Sequence, residues 1–288
     1  MIYGIQVVLK YLLGRDKAER NFAVFPDDVF VVSYPRSGNT WTRFLIANLA
    51  YPGENVSFAN IERLIPDTSS QSSRALKRTP RPRIIKTHQY FDHRYRKMIY
   101  IVRDPRDVAL SLYNFQRKYR QIPDDYPLLA SVDDFVRGNL ISADWGSWGE
   151  NVASWIYSRS HSRDFLLLRY EDMIADTGRE LARIARHLGI EASSGRLQSV
   201  IDRSSADRMR EMEKREEHQW VATKKHRKDI PFVGVAKAGG WRTNLPQSCV
   251  AQIESAWGEL IVRLGYEPVA TRSLSPDVAN FREQVPKA

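Results

Sequence analysis

The chain has 288 residues, 42% of them hydrophobic and 11% aromatic, which suffices for one large core and excludes a disordered polymer. Its formal net charge is +10, and residues 74–106 alone carry eleven Lys or Arg against two Asp. So local an excess favours an anionic ligand over a general nucleic-acid coat.

The first fourteen residues, MIYGIQVVLKYLLG, are apolar but interrupted by Gln6 and Lys10. A spanning helix needs about 20 apolar residues, so no membrane span is expected here, and no basic leader region precedes the apolar run. We expect residues 1–24 to be a helical segment packed on the domain. Four short apolar runs then read as buried strands: Val29–Ser33, Arg83–Lys86, Lys97–Val102 and Phe165–Leu168. Helix signals follow three of them. Thr40–Ala50 has apolar residues at 41, 44, 45 and 49. Pro105–Phe115 opens with Asp104 as N-cap and Pro105 at the first helical position. Asp172–Leu188 reads as one long periodic helix closed by Gly189. Further helices are expected at 145–160, 205–218 and 246–263, a loop at 66–82, and a tail at 269–288. The lone Cys249 sits in a helix-like segment with no catalytic signature, and a chain with one cysteine fits a reducing, cytoplasmic setting. Strands alternating with helices imply an α/β single domain over 25–268, with a central parallel sheet flanked by helices.

In such folds ligands sit at the carboxyl ends of the strands. Tyr34 to Trp41 (YPRSGNTW) follow the first strand. Lys86, Thr87 and His88 end the second; Arg103, with Ser111 two turns into the next helix, ends the third; Tyr170 follows the fourth. Brought to one sheet edge, these residues make a site for a compound with more than one phosphate-like group. Backbone N–H groups of 37–41 at a helix start suit one anion, and Arg103 with Ser111 suits a second. Each feature alone has an ordinary explanation: a turn before a helix, a surface ion pair, a structural histidine. Four strand ends bearing such groups together do not.

YPRSGNTW resembles the phosphosulfate loop of the cytosolic sulfotransferases, Tyr-Pro-Lys-Ser-Gly-Thr-Thr-Trp. KMIYIVRDPRDVALSLYNF resembles their 3′-phosphate motif, IIKTHQYF their Lys-Thr-His segment, LLLRYEDM their Tyr-Glu-Asp segment, and GSWGENVASW a substrate-side segment. Order and spacing hold from about residue 25 to 265. The resemblance implies a P-loop nucleotide-kinase-like fold and sulfuryl transfer from 3′-phosphoadenosine 5′-phosphosulfate (PAPS) to a hydroxyl or amine. It implies that Arg36, Ser37, Gly38, Asn39 and Thr40 hold the 5′-phosphosulfate and that Trp41 stacks near adenine. Arg103 and Ser111 then take the 3′-phosphate, Tyr170 contacts the nucleotide, and His88 is the base, with Lys86 beside it. No metal is expected, because the six His are scattered without ligand spacing.

The chain departs from that pattern in three places. Arg36 replaces the usual Lys; it keeps the charge but is a poor proton donor. The late Arg-Lys-Gly clamp on the 3′-phosphate falls at Gly234-Val235-Ala236, with Lys237 or the Lys224–Lys228 cluster as candidate substitutes. The second adenine-stacking aromatic falls at Ala206, leaving Trp41 to stack alone and Ser204 to touch the base. The family's dimerisation motif has no counterpart in RTNLPQSCVA, so a family-type dimer is not expected and the oligomeric state stays open. Two other readings stand beside the enzyme. One is a nucleotide-binding module with lost activity, suggested by the missing clamp. The other is a P-loop kinase, which the absent GxxxxGK[ST] spacing disfavours. The acceptor, a small molecule or a carbohydrate, is expected between loops at 66–82, 89–95, 119–130, 142–152 and 219–238. These loops bring Tyr90, Phe91, Tyr126, Trp145, Trp148 and Trp220.

Overall fold

The structure, a computed structural model, describes residues 17–139, 145–216, 227, 229, 233 and 237–269. Its centre is a four-stranded sheet of β1 (Val29–Ser33), β2 (Ile84–Thr87), β3 (Lys97–Val102) and β4 (Phe165–Arg169), in the order β2-β1-β3-β4. All pairings are parallel. Unbroken apolar runs are what a parallel sheet covered on both faces requires, and every residue of β1 is buried. Side chains alternate between two cores. Phe30, Val32, Ile85, Met98 and Tyr100 face one core with Trp148, Trp155, Ile253 and Leu260. Val29, Val31, Ile84, Ile99 and Leu168 face the other with Phe44, Ile46, Leu181 and Ile184.

Twelve helices are described: α1 (Asn39–Ala50), α2 (Ile61–Leu64), α3 (Ser73–Arg78), α4 (Pro105–Lys118), α5 (Leu128–Arg137), α6 (Trp148–Arg159), α7 (Tyr170–Ala175), α8 (Thr177–Leu188), α9 (Ser194–Arg203), α10 (Ala206–Glu216), α11 (Trp241–Asn244) and α12 (Gln247–Arg263). The expected caps on α4 form: the Asp104 side chain accepts from the backbone N–H of Arg106, and Pro105 begins the helix. Gly189 closes α8 in the left-handed region.

The helix expected at Asp172–Leu188 is two helices. Asp176 leaves helical geometry at φ −148°, and its side chain caps α8 by accepting from the Arg179 N–H. An Asp competes locally for backbone donors, so it starts a new helix where apolar periodicity alone reads straight through. The loop expected at 66–82 contains α3, capped by Ser72 and anchored by the fully buried Leu76. Its serines read as loop, although one of them is the cap. The residues before α3 add to the sheet edge. Lys86 N–H donates to Pro66 O at 2.8 Å, and Thr68 N–H donates to Lys86 O at 3.0 Å. Residues 17–24, expected to end a helical segment, are not helical; Ala18 and Glu19 pair instead with Gln71 and Thr68, covering that edge. Residues 1–16 and 270–288, with most of the expected N-terminal segment and tail, lie outside the described residues. Among the described residues no helix is long and apolar enough to cross a membrane.

Candidate active site

The parallel register sets which residues meet. Val32 lies beside Thr87, Ser33 beside Ile101, and Val102 beside Arg169. The chain therefore leaves β1, β2, β3 and β4 at one sheet edge, and Tyr34–Gly38, His88, Arg103 and Tyr170 all emerge there.

The turn from β1 into α1 is shaped by two left-handed residues, Arg36 at φ 69° and Gly38 at φ 93°. Gly38 is needed twice over. Its backbone lies where a side chain is strained, and a Cβ there would stand 2.5 Å from the Tyr170 ring. No side chain caps α1, and its first turn holds no acidic residue. Its leading N–H groups, with the positive end of the helix dipole, are thus set for an anion. The Ser37 hydroxyl, although buried, has no hydrogen-bond partner among the described residues. An orphaned hydroxyl at an uncapped helix start fits a bound phosphosulfate. Thr40 is half-buried in the first turn. Asn39 turns the other way, its amide donating to Ser33 Oγ at 3.0 Å and Val31 O at 3.4 Å, so its side chain secures the loop to β1.

Arg36 reaches across to α4. Its Nε donates to Ser111 Oγ at 3.2 Å, and its guanidinium lies 4.8 Å from the Phe115 ring centre. Burial, reinforced by the nearby Arg103 charge, pushes its pKa down to about 10, so it stays protonated at neutral pH. Arg103 donates to the carbonyls of Arg36 at 3.2 Å and Lys237 at 3.3 Å, and lies 4.4 Å over the Tyr170 ring. Its buried Nε has no partner among the described residues. Trp41 meets Tyr170 edge-on at 6.1 Å and donates its Nε1–H to Ser204 O at 3.0 Å. Ser204 is therefore next to Trp41, but its hydroxyl is fully buried and accepts from Asn48. What it presents beside the indole is its backbone. Gly234–Ala236 and, apart from Arg227, the Lys224–Lys228 cluster lie outside the described residues. Lys237 is described and exposed.

His88 ends β2. Its Nδ1 is 2.7 Å from Ser33 O. A carbonyl can only accept, so Nδ1 carries the proton and Nε2 keeps its lone pair. Burial, then the Lys86 charge, pushes the imidazole pKa down to about 3, and the ring is neutral at physiological pH. Lys86 donates from Nζ to Asp67 Oδ2 at 2.5 Å. Burial lowers the pKa of Lys86, against the opposing pull of Asp67.

Asp67 and Asn151 belong to this site, although neither stood out in the sequence. Asn151 on α6 is fully buried, donates to the backbone of His88 at 3.0 Å and of Trp145 at 2.9 Å, and accepts from Tyr100 OH at 2.9 Å. Its only sequence signal is a polar residue on the apolar face of a helix. Trp145 packs edge-on to His88 at 5.3 Å. Trp148, expected in the acceptor walls, is instead fully buried against Trp257 and belongs to the core. It opens α6 with its indole inside, where helical periodicity sends it. Tyr90 and Tyr126 are not in the core, Phe91 packs on Trp155, and Trp220 lies outside the described residues.

The Sulfotransferase domain family model matches residues 26–265. The chain belongs to the sulfotransferase family. Its relatives include sulfotransferase 1B1 of Canis lupus familiaris, 28% identical over 73% of this chain and 75% of that one. Sulfotransferase 1A1 of Rattus norvegicus is 29% identical over 73% and 76%. Among solved structures, retinol dehydratase in complex with androsterone and inactive cofactor PAP superposes with a TM-score of 0.70, at 22% identity, over 90% of this chain and 86% of that one. A mouse sulfotransferase complexed with PAP gives 0.69 at 23% identity, over 85% and 87%. This sulfotransferase shares their fold, and sulfuryl transfer is its chemistry.

Proposed function

We propose that this sulfotransferase moves the sulfuryl group of PAPS to a hydroxyl or amine of a small-molecule or carbohydrate acceptor by in-line transfer, with His88 as base. The observation that carries the reading is the seat of the His88 ring against Ser33 O. Its Nδ1–H is tied to Ser33 O at 2.7 Å, so Nε2 is the nitrogen left to take a proton at the sheet edge. The uncapped start of α1, the Ser37 hydroxyl and Arg36 suit the phosphosulfate, and Arg103 with Ser111 suits the 3′-phosphate. PAP in the related solved structures agrees with that nucleotide.

When bound, the nucleotide supplies an activated sulfuryl group and a stable anionic leaving group. The protein's part is positioning and charge. His88 Nε2 takes the acceptor's proton as the acceptor oxygen or nitrogen bonds to sulfur. Arg36 and Lys86 neutralise the negative charge left on the bridging oxygen. A neutral imidazole with a low pKa is a weak base, but nearby sulfate and phosphate charges favour the imidazolium and raise its basicity as the site fills.

His88→Ala should lower transfer by at least about 10²-fold. Its affinity for adenosine 3′,5′-bisphosphate, measured by calorimetry, should stay within about threefold. Normal turnover in this variant removes His88 as base. Failure of the unmodified protein to bind that bisphosphate at millimolar concentration favours an inactive module. Preference for ATP with Mg²⁺ over it favours a kinase.

A further inference from the structure

Asp67 lies in a serine-rich stretch and belongs to no motif, yet it holds the lysine next to the base. We propose that Asp67 is a positioning residue for sulfuryl transfer, fixing the Lys86 ammonium beside His88 and keeping it charged. This rests on the roles of His88 and Lys86 given above.

The geometry leaves Asp67 little freedom. Oδ2 accepts from Lys86 Nζ at 2.5 Å, while Oδ1 accepts from Ser69 N–H at 2.9 Å and Ser69 Oγ at 2.8 Å. The backbones of the two residues are tied as well, because Pro66 O and Thr68 N–H bracket Lys86 in a one-residue parallel bridge. Carboxylate and ammonium are therefore held by the sheet edge itself. Their side chains are only 12% and 9% exposed. Lys86 lies in β2 and His88 just past its end, and the charges of both Lys86 and Asp67 act on the His88 ring.

Arg43 from α1 lies 3.1 Å from Glu62 of α2, and both act on Lys86. His88 adds a neutral ring. Arg43, Glu62, Asp67 and Lys86 together sum to zero. Removing the carboxylate leaves a buried net positive charge, and loss of the Lys86 proton relieves it. A neutral amine at that place cannot stabilise the departing oxygen and competes with His88 for the acceptor's proton. Burial already lowers the lysine pKa while Asp67 raises it, in the direction this argument needs.

The test reads Lys86 directly. In ligand-free protein with ¹³C-labelled lysine, and with Lys86 assigned through K86R, the titration midpoint of Lys86 should fall by about one unit or more in D67N. D67E should recover most of that shift. An unchanged midpoint in folded D67N overturns the proposal. If D67N does not fold, K86M reports the same coupling from the other side: the Asp67 carboxyl midpoint should rise by about one unit or more, and no rise overturns it. For turnover, sulfuryl transfer from 4-nitrophenyl sulfate to adenosine 3′,5′-bisphosphate is followed by released 4-nitrophenol. D67N should lower kcat by about 10- to 100-fold, with the loss deepening as pH rises, and should add nothing in a K86M background. A loss equal at every pH and additive with K86M marks a merely structural role. Full activity in His88→Ala would remove the base assignment yet leave the lysine titration able to decide on Asp67.

Discussion

His88 shows how far position changes a residue. An unperturbed histidine titrates near pH ~6.5. Here burial and the Lys86 charge hold its pKa at about 3. The folded pKa is lower than the unfolded one, so on acidification the unfolded chain takes up this proton first. The resulting stability is present in full above about pH 6.5 and is lost as pH falls from there toward the folded value. In ¹⁵N spectra of labelled histidine, His88 should remain the Nδ1–H tautomer with no inflection between about pH 5 and 8. An inflection near 6.5 in the ligand-free protein would contradict the burial argument. Arg36 is a similar case: its charge survives burial, and its Nε is directed to Ser111. The type of residue was legible at both positions. The tautomer of one and the partner of the other depend on Ser33 and Ser111, 55 and 75 residues away.

At the scale of elements, the β1–α1 turn and the chain around β2 do different work. The turn places an uncapped helix start at the sheet edge, and Gly38 lets Tyr170 from the start of α7 close against it. Gly38→Ala should destabilise the protein by about 1–3 kcal/mol, read by urea denaturation. Part of that loss should vanish in a Tyr170→Ala background, where the ring no longer meets the new methyl. The second element-scale link is α6. Asn151 ties the backbone of His88 to Tyr100 on β3 and to Trp145, so the backbone of the base is held from a helix while its ring is held from β1. Asn151→Asp removes both amide donors at nearly constant volume. It should lower kcat by about tenfold or more while nucleotide affinity stays near normal. Equal losses in both would show a general disturbance instead. The quoted segment GSWGENVASW contained this residue, but a helix pattern does not say which loop its one buried amide will reach.

At the scale of the whole molecule, the basic stretch 74–106 divides: Arg74, Lys77, Arg78, Arg81 and Arg96 are exposed, while other members, and Arg81 with them, are drawn into ion pairs. Arg81 pairs with Asp27, Arg83 with Asp28, Lys86 with Asp67, Arg94 with Asp92, and Arg106 with Asp104 and Glu254. Arg103 lies 3.8 Å from Asp107. The charges of Arg83, Lys86 and Arg106 are matched inside the fold, and at the sheet edge the helix start, Arg36 and Arg103 face the anion site. The Arg83–Asp28 pair is the deepest of these, with neither side chain exposed, and Arg83 also donates to Leu76 O and Ala23 O at 2.8 Å. Arg83→Met would strand Asp28 and should destabilise the protein by about 3–5 kcal/mol in urea denaturation. Replacing both partners by apolar residues of similar volume should recover much of that loss.

By itself the sequence determined the sheet strands to within a residue, six of the helical segments around them, and the meeting of four strand ends at one edge. These follow from local causes: unbroken apolar runs, a proline or glycine at a helix boundary, and parallel topology. Only the tertiary structure decided that Asp176 breaks a helix, that Trp148 is core, that Ser204 faces Asn48, and that Asp67 and Asn151 serve the site. Each of these depends on a partner brought near by folding, and the pattern of neighbours along a chain carries no record of which distant carboxylate or amide will arrive.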